Sequence, residues 1–535
     1  MIEITGLKLS YMADTHALKE KIAKICRTDI SKIQSVRILK RALDARKKED
    51  IFYLYSCCVE LDEQEERRVL KRNVEGISIY REALYSVPKP GNEEIKGRIV
   101  VAGMGPAGLF AGYILAKNGY RPLIIERGKK MEERVRDVET FWNGCGFSEN
   151  SNAVFGEGGA GTFSDGKLTS RSKDPVGNTV LRIFCEHGAP EEIMYLAKPH
   201  IGTDRLRIII RNLRDDILSM GGEIRFETKL EKIICRNERI EKVLLRSKAG
   251  TETMECAALI LAIGQGARDT YRMLMDSGFV LQAKPFAIGV RAEHPQKLIN
   301  AAQFGLAGAD PLLGAAEYRL TARSGNRGVY TFCMCPGGKV VAAASEEKQV
   351  VVNGMSNYLR NEENANAAVV VQVGPEDFGN EPFSGIDFCR KIEEAAYMAG
   401  GGDYFAPAQR VEDFLKRRTS DHFGDVRPSY RPGVTACDLW SILPDFVSVG
   451  IADGILSFSR QLKGFDLPDA VLTAPETRTS SPVRILRNPD MQAVNTECVY
   501  PAGEGAGYAG GIVSAAIDGI HAAEKVISRF RREDG

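Results

Sequence analysis

The chain has 535 residues, of which 44% are hydrophobic and 27% charged, the proportions of ordinary globular domains. That composition excludes a disordered, collagen-like or coiled-coil chain, and the length allows about three or four domains. The formal net charge of +1 offers no global argument for nucleic acid, membrane or acidic partners.

Twelve cysteines are too sparse for a disulfide scaffold, and no Cys/His cluster has metal-ligand spacing, so no metal is expected. The opening MIEITGLKLSYMADTH lacks a basic segment followed by an apolar one. No window of about 18 apolar residues predicts a membrane helix. These features predict a cytoplasmic protein with reduced thiols and no membrane partner. The oligomeric state is not legible.

In chain order, Ile2–Ser10 reads as a strand, Thr15–Cys26 as an amphipathic helix, and 33–39 and 51–61 as strands. A charged helix over 62–72 and a short strand over 77–81 follow. This β-α-β-β-α-β order predicts a ferredoxin-like α+β domain over residues 1–88, with Val87-Pro-Lys-Pro-Gly91 as a linker. Between Lys19 and Lys48 stand eleven Lys/Arg against three Asp/Glu. Such a strip is either a solvated face or a surface for RNA.

RIVVAG, 98–103, is a short apolar run typical of a buried parallel strand. A helix over 106–118 and a strand over 121–126 complete a βαβ unit. Residues 129–200 read as irregular, 204–220 as a helix, and 224–236, 240–247 and 251–256 as a three-strand meander. A separate apolar strand follows over 257–263.

Four glycine constellations punctuate this framework. Gly103-Met-Gly105-Pro-Ala-Gly108 lies between strand and helix. There the glycines permit a tight turn, approach of backbone to a pyrophosphate, and close helix–strand packing. The helix N-terminus favours the anion, and Glu126 stands at the spacing expected of a ribose-binding acid. The second constellation is Phe155–Lys167 (FGEGGAGTFSDGK), the third LILAIGQG over 259–266, and the fourth YPAGEGAGYAGGI over 500–512, which opens a helix over 513–528.

Together with KPFAIGVRAEHP, FCMCPGG, NGMS and ETRTSSPVRI, these segments resemble a bacterial family of NAD(FAD)-utilising, uncharacterised FAD-dependent dehydrogenases. These are two-dinucleotide-binding-fold flavoproteins near the fumarate reductase and BaiN-like branches. The resemblance implies an α/β fold: a Rossmann-like FAD-binding domain, with a parallel sheet plus an antiparallel three-strand meander. An α+β substrate domain would be inserted over 286–440, between FAD-domain parts at 96–285 and 441–535. It implies that Gly103, Gly105, Pro106, Ala107 and Gly108 hold the FAD pyrophosphate, Glu126 the ribose, and that Arg127 borders the adenine. Gly158, Gly159, Ala160, Gly161, Thr162, Leu230, Ala262 and Gly264 would also meet the cofactor. Gly503-Glu504 would meet the ribityl chain, with Glu where the family pattern has Asp. Gly510, Gly511 and Ile512 would lie at the flavin's pyrimidine edge.

The expected activity is FAD-dependent oxidoreduction of a small organic substrate, with NAD(P)H as a transient donor or another donor in its place. Because a second complete nucleotide motif is absent, a disulfide-reductase plan with a second full nucleotide domain and C-x-x-x-x-C after the first βαβ is disfavoured. An RNA-modifying flavoenzyme and a non-catalytic flavin-binding protein are the alternatives. His200, Arg291, His294 and Arg478 are the candidate catalytic side chains. Cys333-x-Cys335 shares one face of a strand, where the two thiols either pack together or form a redox pair.

Overall fold

The computed structural model describes residues 1–535 except 83–84, 171, 173 and 533–535. The N-terminal unit comprises β1 (Ile2–Ser10), α1 (Thr15–Cys26), β2 (Ile33–Asp44), β3 (Phe52–Leu61), α2 (Glu63–Lys71) and β4 (Ile77–Ile79). Its antiparallel sheet has the order β2-β3-β1-β4, the ferredoxin-like arrangement. Both helices start where an aspartate accepts a backbone N–H: Asp14 from Ala17 at 2.9 Å and Asp62 from Glu65 at 2.8 Å. Strand β2 runs longer than the sequence suggests because 40–44 pair with 52–56 beyond a bulge at Ile38/Lys40.

This unit does not hang on a free linker. Arg41 N–H donates to the Tyr195 carbonyl at 2.7 Å, and Ala197 N–H returns a bond to Arg41 at 2.9 Å. The expected linker is also docked, since Gly91 N–H donates to Ile527 and Glu93 pairs with Arg239 and Arg529.

The central unit is built on β5 (Arg98–Ala102), α3 (Pro106–Lys117), β6 (Leu123–Ile125), β7 (Glu223–Arg225), β8 (Lys229–Arg236), β9 (Arg239–Ser247) and β10 (Gly250–Leu261). Strands β7-β6-β5-β10 run parallel, and the strand Val499–Pro501 adds parallel to the far edge of β10. The first half of β10 instead pairs antiparallel with β9, which pairs with β8. The meander and the parallel sheet therefore share one continuous strand, where the sequence reads as two. Helix α3 is buried along almost its whole length, between the sheet and the C-terminal helix Ile512–Arg529. This explains why it is apolar all round.

The stretch 129–200, read as irregular, contains helices Met131–Trp142 and Val176–Glu186. In the first, Met131, Arg134, Val138 and Phe141 are buried at helical spacing inside a charged sequence.

The third unit is a seven-stranded sheet. Its order is 321–324, 327–335, 364–373, 286–295, 471–476, 406–410, 434–436. The helices Ser384–Gly400 and Asp445–Gln461 share its core. The insertion thus runs to about 479 rather than 440. The apolar strand Val471–Glu476 pairs with Phe286–Pro295, and helix 445–461 packs on its sheet instead of returning to the FAD domain.

His521 on the C-terminal helix bonds Asp174 and Glu524, each at 2.7 Å. Chiefly through its bond to Glu524, and against burial, its pKa is raised to about 9 from 6.5. A raised pKa gives stability that is full below about pH 6.5 and lost as pH rises through 9. The ring is one-third exposed, so after screening the loss should be about 1 kcal/mol. Melting temperatures across this window should fall in the wild type more than in His521→Gln.

Candidate functional site

A cleft of about 430 Å3 runs from the β5–α3 turn to the start of the C-terminal helix. Gly103, at φ 103°, makes the turn, and a Cβ there would meet the Ala262 carbonyl at 2.3 Å. A Cβ on Gly108 would lie 1.9 Å from the Gly103 carbonyl, so this glycine exists for helix–strand contact. Gly105 differs, because a Cβ there meets only the Gly159 Cα, at 3.8 Å, and otherwise projects into open space.

Neither α3 nor helix Ile512–Arg529 has a side-chain N-cap, and both N-termini line this cleft. The first-turn N–H groups of a helix have no partner within the helix, and the helix dipole makes that end electropositive. An anionic, elongated ligand fits such a cradle.

Of the residues implied to hold a cofactor, Gly103, Gly105, Pro106, Ala107, Glu126, Arg127, Gly159, Ala160, Gly161, Leu230, Ala262, Gly264, Gly503, Glu504, Gly510, Gly511 and Ile512 line the cleft. Gly108, Gly158 and Thr162 do not, and are corrected to packing positions. A Cβ on Gly158 would strike Thr162 Oγ1 at 2.3 Å, and Thr162 is fully buried behind the wall.

Glu126 organises the end of the cleft beside the first glycine turn. Its carboxylate accepts N–H groups of Met104 at 2.9 Å, Gly128 at 2.9 Å and Gly156 at 3.0 Å, joining the first two glycine segments. A carboxylate has about four acceptor sites, so one remains for a hydroxyl donor. Arg127 lies over the Phe155 ring at 4.4 Å and pairs with Asp269 at 2.9 Å, forming a flat wall. Glu504 accepts from Gln265 Nε2 at 2.9 Å, and burial pushes its pKa up to about 7 against the pull of Lys284.

Among the candidate catalytic residues only Arg478 reaches the cleft. Its guanidinium is held by the fully buried Glu393 at 3.3 Å, which also pairs with Arg268 at 2.9 Å and accepts the Thr477 hydroxyl at 2.6 Å. Against the push of burial, Arg268 and Arg478 hold the Glu393 carboxyl down to about 2.

Arg291 is fully buried behind the wall. All five donors are satisfied: two by Glu476 at 2.9 and 3.0 Å, and the rest by Cys333 O, Asn366 and Asn353 at 2.8–3.0 Å. Neither histidine lines the cleft. His294 is buried, binds the Phe465 carbonyl at 2.7 Å and is pushed down to about 4 by burial. His200 binds the Tyr358 carbonyl at 3.0 Å and stacks on that ring. Both roles are structural.

Several cleft residues went unassigned in the sequence: Asp165, Lys167, Asn353 and Glu476 line it, beside Cys333 of the candidate thiol pair. Asp165 and Lys167 belong to the second glycine segment, whose density marked the site without showing which side chains face inward. Asp165 is buried between Lys167 at 2.9 Å and Arg360. A wider cleft of about 1190 Å3 meets the first, sharing Lys167, Thr169, Phe332, Cys333 and Gly510.

The basic N-terminal strip is partly neutralised: Lys32 pairs with Glu65, Arg46 with Asp44 and Arg37 with Glu82, while Arg41 packs on Tyr53 and Tyr195. Among the described residues, no group of side chains could hold a metal ion, and no helix is long and apolar enough to cross a membrane.

With this geometry in view, residues 285–479 match a family described as "FAD-dependent protein, C-terminal domain-like". Those are close to the bounds of the inserted sheet. The chain is an FAD-dependent flavoprotein of the oxidoreductase class, and its cofactor is FAD. It belongs to the same family as an uncharacterised protein of Clostridium beijerinckii, to which it is 47% identical over 534 residues, 99% of each chain. Residues 1–60 match a domain of unknown function (DUF8436). Among solved structures, a geranylgeranyl bacteriochlorophyll reductase-like protein from Thermoplasma acidophilum is 12% identical, covering 80% of this chain and 78% of that one, with a TM-score of 0.33. CtdE in complex with FAD is also 12% identical, covering 80% and 83%, with a TM-score of 0.29.

The two first-motif glycines separate folding from binding. Gly105→Val should fold and lose FAD, because its side chain enters the cradle. Gly108→Ala should lose stability by about 2 kcal/mol or more, because its methyl strikes backbone. Flavin absorbance and thermal melting of the two variants distinguish these outcomes.

Proposed function

We propose that this chain is a cytoplasmic FAD-dependent dehydrogenase or reductase that moves hydride between FAD and a small organic substrate in the wider cleft. NAD(P)H would be a transient donor. The observation that carries this reading is the shared wall, where the glycine-built cleft opens into a second space large enough for a substrate. FAD, when bound, supplies two-electron chemistry.

The chain's own residues do the rest. The α3 N-terminus and Gly103–Ala107 would hold the pyrophosphate, Glu126 the ribose, and Arg127 with Phe155 the adenine end. Gln265 and Glu504 would orient the ribityl chain, and the N-terminus of helix Ile512–Arg529 would face the pyrimidine edge. Arg478, fixed by Glu393, presents a cation to the cleft. All twelve cysteines are free thiols, which supports a reducing compartment. The case for an RNA substrate is weakened by the ion pairs of Lys32, Arg37 and Arg46 within the basic strip.

The purified protein should be yellow and retain non-covalent FAD. Anaerobic NADH or NADPH should bleach the flavin band, and a small-molecule oxidant should restore it. A folded protein that takes up no FAD would overturn the reading. One that binds FAD but is bleached by neither nucleotide would remove the nicotinamide donor from it.

A further inference from the structure

The wall between the two clefts holds a pair of thiols that the flavin reading leaves without a task. Cys333 is half-buried and lines both clefts, while Cys335 is fully buried. The pairing of strand Arg327–Cys335 with Asn364–Val373 slips between Phe332 and Cys335, and Cys333 takes a left-handed φ of 43°. A bulge of this kind re-aims side chains at the edge of a site. Cys335 Sγ lies 3.3 Å from the Cys333 carbonyl oxygen, at the slipped end of the same strand.

The surrounding charges come from several elements. Lys167 and Asp165 reach in from the second glycine segment, Arg291 from strand Phe286–Pro295, Glu476 from strand Val471–Glu476, and Glu504 from the C-terminal glycine loop. The neighbouring Cys335 thiol, helped by Lys167 and Arg291, outweighs burial and Asp165 and holds the Cys333 thiol below the ordinary thiol range. The same pairing, together with burial, pushes Cys335 up. Both pulls favour the thiolate at Cys333, which faces the clefts, and the protonated thiol at the buried Cys335. That is the division of labour between an attacking and a resolving sulfur.

The wider cleft also carries an unbalanced charge. Lys198 is paired with Glu317, but Arg319 and Arg323 line the cleft exposed and, among the described residues, have no side-chain partner. A cleft lined by one sign of charge concentrates ligands of the other.

We propose that Cys333 and Cys335 are a redox-active dithiol, and that the substrate of the wider cleft is a small anionic disulfide. This rests on the flavin reading for its source of electrons. The Cys333 thiolate attacks one substrate sulfur, breaking the substrate S–S bond, forming a mixed disulfide and releasing the first thiolate. The Cys335 sulfur then attacks Cys333, passing its proton to the departing second half, and the Cys333–Cys335 disulfide closes. Two electrons and one proton from reduced FAD in the adjoining cleft return the pair to thiolate and thiol.

The test uses the full-length protein with oxidised glutathione as the anionic probe and cystamine as its cationic counterpart. Alkylation and mass spectrometry give the state of each thiol. In the wild type, oxidised glutathione should close the Cys333–Cys335 bond and release both of its halves. Cys335→Ser should trap glutathione on Cys333, and Cys333→Ser should do neither. Cystamine should react more slowly at low salt, with the difference shrinking as salt rises. The pH midpoint of Cys333 alkylation should lie well below that of an ordinary thiol and move upward in Lys167→Gln.

A midpoint near the ordinary value of about 8.5, or thiols left free by oxidised glutathione in protein that holds FAD, would overturn the proposal. FAD content and bleaching by NAD(P)H, measured on the same samples, report the flavin reading separately. Protein that binds and bleaches FAD but ignores glutathione refutes only the dithiol. Protein that exchanges with glutathione but takes up no FAD refutes only the flavin reading.

Discussion

The wall between the two clefts depends on the buried pair of Arg291 and Glu476. Both groups are essentially inaccessible to water, on adjacent strands of the inserted sheet. Removing charges from water costs several kcal/mol per ion, and attraction offsets this only where every remaining donor is met. Here the two oxygens of Glu476, two asparagine oxygens and the Cys333 carbonyl meet all five guanidinium donors. Deleting one partner would leave an unpaired buried charge, a loss on the order of 3–5 kcal/mol. Strand pairing, the carbonyl of the bulge and the polar wall of the glycine-lined cleft are thereby bound into one arrangement.

A second constraint is the sharing of β10. Its first half closes the meander and its second half lies in the middle of the parallel sheet, so the Ala262–Gly264 turn that follows is fixed against β5. The Gly103 turn and the Ala262 carbonyl then approach so closely that no side chain fits between them. Glu126 completes the frame by receiving N–H groups from both the first and second glycine segments. A single carboxylate thus joins the backbone at Met104 to the backbone at Gly156. The inserted sheet supplies the opposite wall, and its buried Glu393 fixes Arg478 without exposing a carboxylate to the cleft.

Much of this was legible along the chain. The βαβ spacing, the glycines of the first motif and the position of Glu126 are local consequences of backbone geometry. The ferredoxin-like order followed from the succession of strand-like and amphipathic or charged helical runs. The failures have physical causes. Helix Met131–Trp142 buries Arg134 among its apolar residues, which blurs its pattern. The insertion seemed to end at 440 because an apolar strand such as Val471–Glu476 looks the same whichever sheet receives it. His200 and His294 were plausible as reactive side chains, but their carbonyl partners lie at Tyr358 and Phe465, far away in sequence.

The sequence by itself determined that a dinucleotide-binding turn exists and where its backbone must come close to an anion, because glycine is required residue by residue. It also marked the second and fourth glycine segments as places where backbone comes close to a ligand, and the family resemblance implied that they share one cleft. Only the tertiary structure decided which side chains face that cleft. Arg291 meets Glu476 across 185 positions, and Lys167 meets the strand of Cys333 across 167 positions at Met334. Such pairings follow from sheet order and register, which depend on the whole core rather than on neighbours in the chain. Whether Cys333 packed inward or faced two clefts was set by a one-residue slip of register, which strand alternation does not reveal.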